Sequence, residues 1–228
     1  EIISRSWISP SKIRVIRNGR DQIGSPDLSG YDLDSPLPAR IAMVSNLLPH
    51  KGHDVLTKSL SLLKQKGLKV PARLIGHEST GMMNEGNAPF TNNLKAEALK
   101  LGILDRIEFY GYTENVYDAL KGFSVVVLPS DSEGVPNCIL EAISLRKLII
   151  TSQVGGIPEI IQNGINGLLH PPQDPEALAN ILEKVFSTPA RTWEPMRNAG
   201  YNTWKEKFSM EQMMEGLIKV YKELRVLR

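Results

Sequence analysis

Two glutamates eight positions apart, Glu133 and Glu141, bracket a turn that opens an apolar helical pattern. The turn reads Gly134, Val135, Pro136 and Asn137, and Cys138 and Ile139 follow it. The first N–H groups of a helix have no partner within it and carry the positive end of its dipole, so they accept an anion. With one carboxylate on each side, the anion best served is a diphosphate that carries hydroxyl-bearing groups at both ends. A free phosphate is poorly served, because both acids would repel it. On its own the pair has an ordinary explanation too, since a glutamate in a first helical turn favours the dipole.

Other residues point the same way. Lys51 is next to last in the run SNLLPHKG, residues 45–52, just ahead of a helical pattern. A cation is disfavoured at that helix end, and a bound diphosphate would reverse the cost; a solvated lysine is the plain alternative. Gly111–Tyr112–Thr113 ends a strand-like run, where its backbone and the Tyr112 ring could meet a base or simply turn the chain. Gly155–Gly156 could approach a phosphate, but such a pair more often only permits a tight turn. His50 and His53 lie three apart without a cysteine or carboxylate pair beside them, so a metal site is not expected. Neither GxGxxG nor a Walker sequence occurs.

The elements that must hold these residues alternate. Strand-like runs fall at Arg40–Val44, Ala72–Ile75, Arg106–Tyr110, Ser124–Leu128, Leu148–Thr151 and Gly167–His170. Ser124–Leu128 is apolar almost throughout, as a strand covered on both faces should be. Helical patterns fall at His53–Lys66, Asn92–Leu101, Asn115–Lys121, Asn137–Leu145, Ile157–Gln162, Asp174–Ser187 and Ser209–Arg228. Asp174 and Pro175 suit the N-cap and first position of their helix, and Ser209 with Gln212 has capping-box spacing. The fold class expected is α/β, a Rossmann-like doubly wound parallel sheet, with ligands outside the carboxyl ends of its strands. Lys12–Ile16 reads as a further strand, Asn18–Gly19 as a tight turn, Arg20–Pro38 as a linker or surface loop, and residues 77–93 as a mobile loop. The expected division is residues 1–39 as the end of a preceding region and linker, 40–190 as the binding domain, and 191–228 as a helical extension.

Composition narrows the class. The 228 residues are 41% hydrophobic and 23% charged, with a formal net charge of +2, so nucleic acid is not an expected partner. The single cysteine, Cys138, fits a reducing compartment, and no apolar run nears a membrane span. The chain opens on Glu1 rather than Met, which leads us to expect further sequence upstream.

Taken together these segments resemble the retaining glycosyltransferases of family 4. The matching runs, in order, are SNLLPHKG, LGILDRIEFYGY, VVVLPSDSEGVPNCILEA with its Glu-x7-Glu, and VGGIPEIIQNGINGLLHPPQDPEALANIL. The resemblance covers about residues 40–187 and implies the donor-binding, C-terminal half of a GT-B architecture, followed by a helix that crosses back toward the other half. KIRVIRNGRD, residues 12–21, is similar to the passage that ends that other half.

Carried over, the resemblance implies that Glu133 holds donor sugar hydroxyls while Gly134, Val135, Pro136 and Asn137 close over the sugar. Amides of Cys138 and Ile139 would hold the diphosphate, Glu141 the ribose, and Lys51 the leaving charge, with Tyr112 beside the base. One departure stands out: the family's usual arginine is Asn46 here, so charge at that place is lost unless another cation compensates. His77 and Glu78 after Gly76 also depart from the family's phosphate contacts.

The implied reaction is transfer of a hexose-type sugar from a UDP- or GDP-sugar to a hydroxyl acceptor with retention, without a metal cofactor or protein nucleophile. The acceptor would be a sugar, a lipid-linked sugar or a polysaccharide, in surface polysaccharide or glycan synthesis. Location would be cytoplasmic, at the inner face of the membrane if a missing N-terminal domain attaches there, and this stretch alone would transfer little. A GT-B sugar-nucleotide epimerase and a non-catalytic sugar-nucleotide-binding module are the alternatives.

Overall fold

In the computed structural model of the chain, residues 9, 12–25, 32–78 and 89–224 are described. Six short apolar runs become six parallel strands: β1 (Ile41–Val44), β2 (Ala72–Ile75), β3 (Ile107–Gly111), β4 (Val125–Leu128), β5 (Leu148–Ser152) and β6 (Leu168–His170). Their spatial order is β3-β2-β1-β4-β5-β6. The chain therefore winds outward from β1 to one edge, returns to the middle and winds to the other edge. The reversal lies between β1 and β4, where Ile41 is in register with Val125 and Ala42 with Val126. Loops after adjacent central strands diverge there and leave a crevice. Every residue of β4 and β5 is buried, which is why β4 reads as an unbroken apolar run and β5 as one that ends in Thr151 and Ser152, whose hydroxyls donate to backbone carbonyls.

The helices are α1 (His53–Gln65), α2 (Phe90–Lys100), α3 (Val116–Leu120), α4 (Asn137–Ser144), α5 (Ile157–Ile160), α6 (Pro175–Ser187), α7 (Glu194–Lys207) and α8 (Met210–Glu223). Right-handed crossovers running in opposite directions from the middle of a sheet place their helices on opposite faces. Here α1 packs with α2 and α6, and α4 packs with α7. At the start of α6, Asp174 caps by accepting from the Ala177 N–H at 2.8 Å, with Pro175 in the first position. Ser209 caps α8 through Gln212 N–H at 3.3 Å, but the Gln212 side chain turns to Glu215 instead of closing a full capping box.

Several expectations fail for physical reasons. Lys12–Ile16 pairs with no strand among the described residues, and no turn forms at Asn18–Gly19. That passage lies along α8: Arg14 meets Glu223 at 3.0 Å, and Ile16 packs on Gly216. Contact with a helix half-covers Ile13 and Ile16 without a sheet edge and leaves Val15 exposed. Arg20–Pro38 is not wholly a surface loop, since Leu37 is buried in the core and Pro36 forms a bridge with Pro189. Most of the expected mobile loop lies outside the described residues. At its far end the chain is already helical from Phe90, because the Glu78 carboxylate accepts from the N–H groups of Phe90 and Thr91 and caps α2.

Helix α7 falls within the helical extension expected over residues 191–228, although the sequence hides its own periodic pattern. Its inward face is Trp193, Arg197, Gly200 and Trp204, spaced four, three and four as a helix requires. Arg and Gly hide that stripe from a hydrophobicity reading. Gly200 brings α7 close to Asn166, and Arg197 Nε donates to the Arg146 carbonyl at 2.7 Å. Trp193, Trp204 and Phe208 join the same buried cluster as the sheet. Helix α8 buries no residue fully, and Met214, Ile218, Tyr221 and Leu224 are exposed along it. No helix among the described residues is long and apolar enough to cross a membrane.

Candidate functional site

Three loops meet at the crevice, and backbone contacts lock them together. The first, residues 45–52, leaves β1. Gly52 adopts a left-handed φ of 76°, and a Cβ there would lie 1.9 Å from the Pro129 carbonyl oxygen. Only glycine lets this loop rest on the second loop, residues 129–136, which leaves β4. Asp131 N–H donates to the His50 carbonyl at 2.8 Å across the same junction. The third, after β5, carries Gly155 at φ 50°, where a Cβ would lie 1.8 Å from the Glu133 carbonyl oxygen. Gly156 N–H donates to that oxygen at 3.1 Å. The glycine pair is thus a seat for the Glu133 loop.

The first two of these loops, with the chain just after β2 and β3 and with Arg20, wall a cavity of ≈ 410 Å³, a size ordinary for ligand pockets. Among the expected site residues, Asn46, Lys51, Tyr112, Glu133, Pro136, Asn137, Cys138 and Glu141 line it. Gly134, Val135 and Ile139 do not; the Ile139 side chain is fully buried in the core. Ile139 N–H also turns back onto the Pro136 carbonyl at 3.1 Å, because the helix opens on a tight turn. The N–H groups of Asn137 and Cys138 donate to no protein acceptor among the described residues, so they are the free amides at the start of α4.

The two carboxylates have different surroundings. Glu133 Oε1 accepts from Lys51 Nζ at 2.8 Å and from Ser130 Oγ at 2.7 Å, leaving Oε2 for another donor. Glu141 is buried one turn into α4, and its Oε1 lies 2.8 Å from Arg20 Nη2. Burial raises the Glu141 carboxyl above its usual range, with Arg20 partly offsetting this. Burial also pushes the Cys138 thiol up to about 12, aided by the nearby Glu133 and Glu141 charges. That thiol stays protonated at neutral pH and is no nucleophile. Tyr112 is exposed at the rim, with its ring edge-on to His77 at 5.5 Å.

Arg20 escaped sequence reading because it lies in what looked like linker. Its backbone is pinned where α7 meets α8: its N–H donates to the Phe208 carbonyl at 2.9 Å, and its carbonyl accepts from the Trp204 indole at 3.0 Å. The only sequence sign was a cation beside the NG pair. Among the described residues no group of three or more His, Cys, Asp or Glu is placed to hold a metal ion.

His53 sits behind Lys51, buried, with Nε2 3.3 Å from Ser45 Oγ. Burial lowers its pKa from 6.5 to about 4. Between those values the unfolded chain binds a proton that the folded chain refuses, so stability rises with pH across this window. The contribution is complete above 6.5 and is lost as pH falls through about 4. Denaturant titrations at a series of pH values should show a loss on the order of 3 kcal/mol on acidification, absent in His53→Gln. An unchanged pH slope in the variant would contradict this.

The chain is similar to known proteins. A family profile described as glycosyl transferases group 1 matches residues 36–205. A D-inositol 3-phosphate glycosyltransferase of Mycolicibacterium vanbaalenii is 25% identical over 202 residues, covering 84% of this chain and 44% of the relative. The amylovoran biosynthesis glycosyltransferase AmsK of Erwinia amylovora is 29% identical, covering 80% and 46%. An uncharacterised glycosyltransferase of Methanocaldococcus jannaschii is 31% identical, covering 79% and 47%. The chain thus spans about half the length of these relatives.

Among solved structures, Anabaena HepE in complex with UDP and glucose superposes with a TM-score of 0.75 at 21% identity, covering 94% of this chain and 57% of that one. The C-terminal domain of the group 1 glycosyl transferase LpcC from Francisella tularensis gives 0.70 at 21%, covering 84% of this chain and 100% of that domain. These two likenesses establish the GT-B type of Rossmann-like fold. With the family profile spanning most of its length, the chain belongs to the group 1 glycosyl transferases.

Proposed function

We propose that the chain is the donor-binding domain of a retaining glycosyltransferase of the family 4 type, and that its cavity takes a nucleoside-diphosphate sugar. The observation that carries this is the meeting of Glu133 and Glu141 on one cavity, on either side of the α4 start. The diphosphate lies over the Asn137 and Cys138 amides, the ribose hydroxyls donate to Glu141, and the sugar hydroxyls donate to Glu133. Tyr112 stands by the base. Lys51 holds Glu133 in place and faces the diphosphate oxygens.

In transfer, the bond from the anomeric carbon to the phosphate oxygen breaks and its electron pair stays with the diphosphate. The acceptor hydroxyl attacks from that same face, and its proton passes to the departing phosphate oxygen. The protein's share is position and charge stabilisation, met here by side chains and amides with no metal invoked. Anabaena HepE, whose structure holds UDP and glucose, and the AmsK relative, named for amylovoran biosynthesis, support a sugar-nucleotide donor and a polysaccharide or other glycan product. An acceptor-binding domain outside this stretch would complete the site and carry any membrane association. A non-catalytic sugar-nucleotide-binding module is a second reading, favoured by the neutral Asn46 in the cavity wall. Transfer by the whole protein to a glycan acceptor separates the two.

The first test is a thermal-shift screen of UDP-, GDP- and ADP-sugars, followed by titration. Glu141→Ala should weaken nucleoside diphosphate binding about tenfold or more, from loss of charged hydrogen bonds. Glu133→Ala should keep most affinity for the plain diphosphate and lose it for the sugar-bearing donor. Equal losses for both ligands in both variants would refute the assignment of ends.

A further inference from the structure

The cavity's charges cancel before any donor arrives. Its lining holds two cations, Arg20 and Lys51, and two carboxylates, Glu133 and Glu141, each cation engaged by one acid at 2.8 Å. A donor diphosphate adds a charge on each phosphate. The loop after β1 offers only neutral Ser45 and Asn46 alongside Lys51. The missing charge must therefore come from elsewhere in the wall.

We propose, on the basis of the donor-site reading above, that Arg20 is the second cation for the diphosphate, and that it leaves Glu141 for the phosphates as the ribose takes its place on that acid. Three observations favour the move. First, the Glu141-bound arrangement is under-satisfied: Arg20 Nε is buried with no partner, and a buried charged donor without an acceptor is costly. Second, the end that must move is free to do so while its root is not. The side chain is 42% exposed, yet the backbone is held by Phe208 and Trp204. Gly19 keeps this root in place, since a Cβ there would lie 2.5 Å from the Ser209 carbonyl oxygen and 2.9 Å from Met210 Cα. Third, Glu141 is buried and its carboxyl is pushed up, so it needs a donor in either state. Ribose hydroxyls supply that donor when the guanidinium departs. Arginine's fork suits the receiving end, because it meets two phosphate oxygens at once. The exchange couples the two ends of the donor: a nucleoside without phosphates must compete with Arg20 for Glu141, whereas a diphosphate draws Arg20 away.

The test is calorimetric titration of wild type, Arg20→Gln and Arg20→Gln/Asn46→Arg with UDP and uridine, and in parallel with GDP and guanosine. Arg20→Gln should lose about tenfold or more in diphosphate affinity, while nucleoside affinity holds or improves because Glu141 is freed. The double variant should regain diphosphate affinity with the nucleoside unchanged, which a damaged fold would not allow. An Arg20→Gln variant with equal losses for both ligands, or with both unchanged, overturns the exchange. If both ligands instead bind more tightly, Arg20 is only a lock on Glu141, and the proposal also fails. If wild type binds neither diphosphate, the donor-site reading itself falls; if wild type binds and only the variant pattern disagrees, the Arg20 inference alone falls.

Discussion

Lys51→Ala is expected to lower affinity for a nucleoside diphosphate by on the order of 100-fold, while the matching nucleoside is nearly unaffected. Two effects add. The variant removes a cation from the cavity wall, and it strands Glu133, whose side chain is only 8% exposed, with Ser130 as its remaining partner. An uncompensated buried carboxylate then repels the incoming phosphates. Breaking such a pair also destabilises the fold, here by about 3 kcal/mol. Titration with UDP and uridine, beside denaturant unfolding of both proteins, separates the parts. Equal affinity losses for the two ligands would contradict a phosphate contact. Lys51→Arg should retain most diphosphate binding.

Gly155→Ala is expected to be the most damaging single-methyl change in the site. The new Cβ would lie 1.8 Å from the Glu133 carbonyl oxygen, far inside van der Waals contact, at a φ of 50° that alanine adopts reluctantly. Neither atom is the end of a flexible side chain, so the Glu133 loop must lift from its seat and the Gly156 N–H bond to it is lost. We expect a stability loss of about 3 kcal/mol or more, a fall in Tm of at least about 6 °C at this chain length, and loss of sugar-donor binding through displaced Glu133. Gly164→Ala is the matched control: its φ of 78° is similarly left-handed, but a Cβ there meets nothing within 4 Å. If Gly155→Ala cost no more than Gly164→Ala, the seat would have no mechanical role.

Most of the sheet could be read from sequence because parallel strands buried on both faces leave apolar runs, as Val125–Leu128 and residues 148–150 do. The carboxylate pair was legible because both acids and the turn between them fall in one strand-to-helix segment. What stayed hidden depends on tertiary contact. Arg20 reaches Glu141 only because α7 and α8 pin its backbone, and nothing local announces that. Residues 191–228 read as helical only in bulk; the buried stripe of α7 hid behind Arg197 and Gly200, an arginine with its own carbonyl partner and a glycine at a close approach. Lys12–Ile16 has a strand's alternation but spends it on a helix surface. That Ile139 N–H is bonded within the turn while Asn137 N–H stays free is a matter of one tight turn, below the precision with which sequence sets a helix start.

The central claim is that a diphosphate docks on the amides that open α4. The most direct measurement is an amide NMR titration of the chain with UDP and with GDP, following the backbone signals of residues 136–141 alongside those of Lys51 and Arg20. We predict large, saturable shifts at Asn137 and Cys138, smaller ones at Ile139, and correlated changes at the Arg20 side-chain Nε. Binding that left the Asn137 and Cys138 signals unmoved while perturbing another surface would contradict the account.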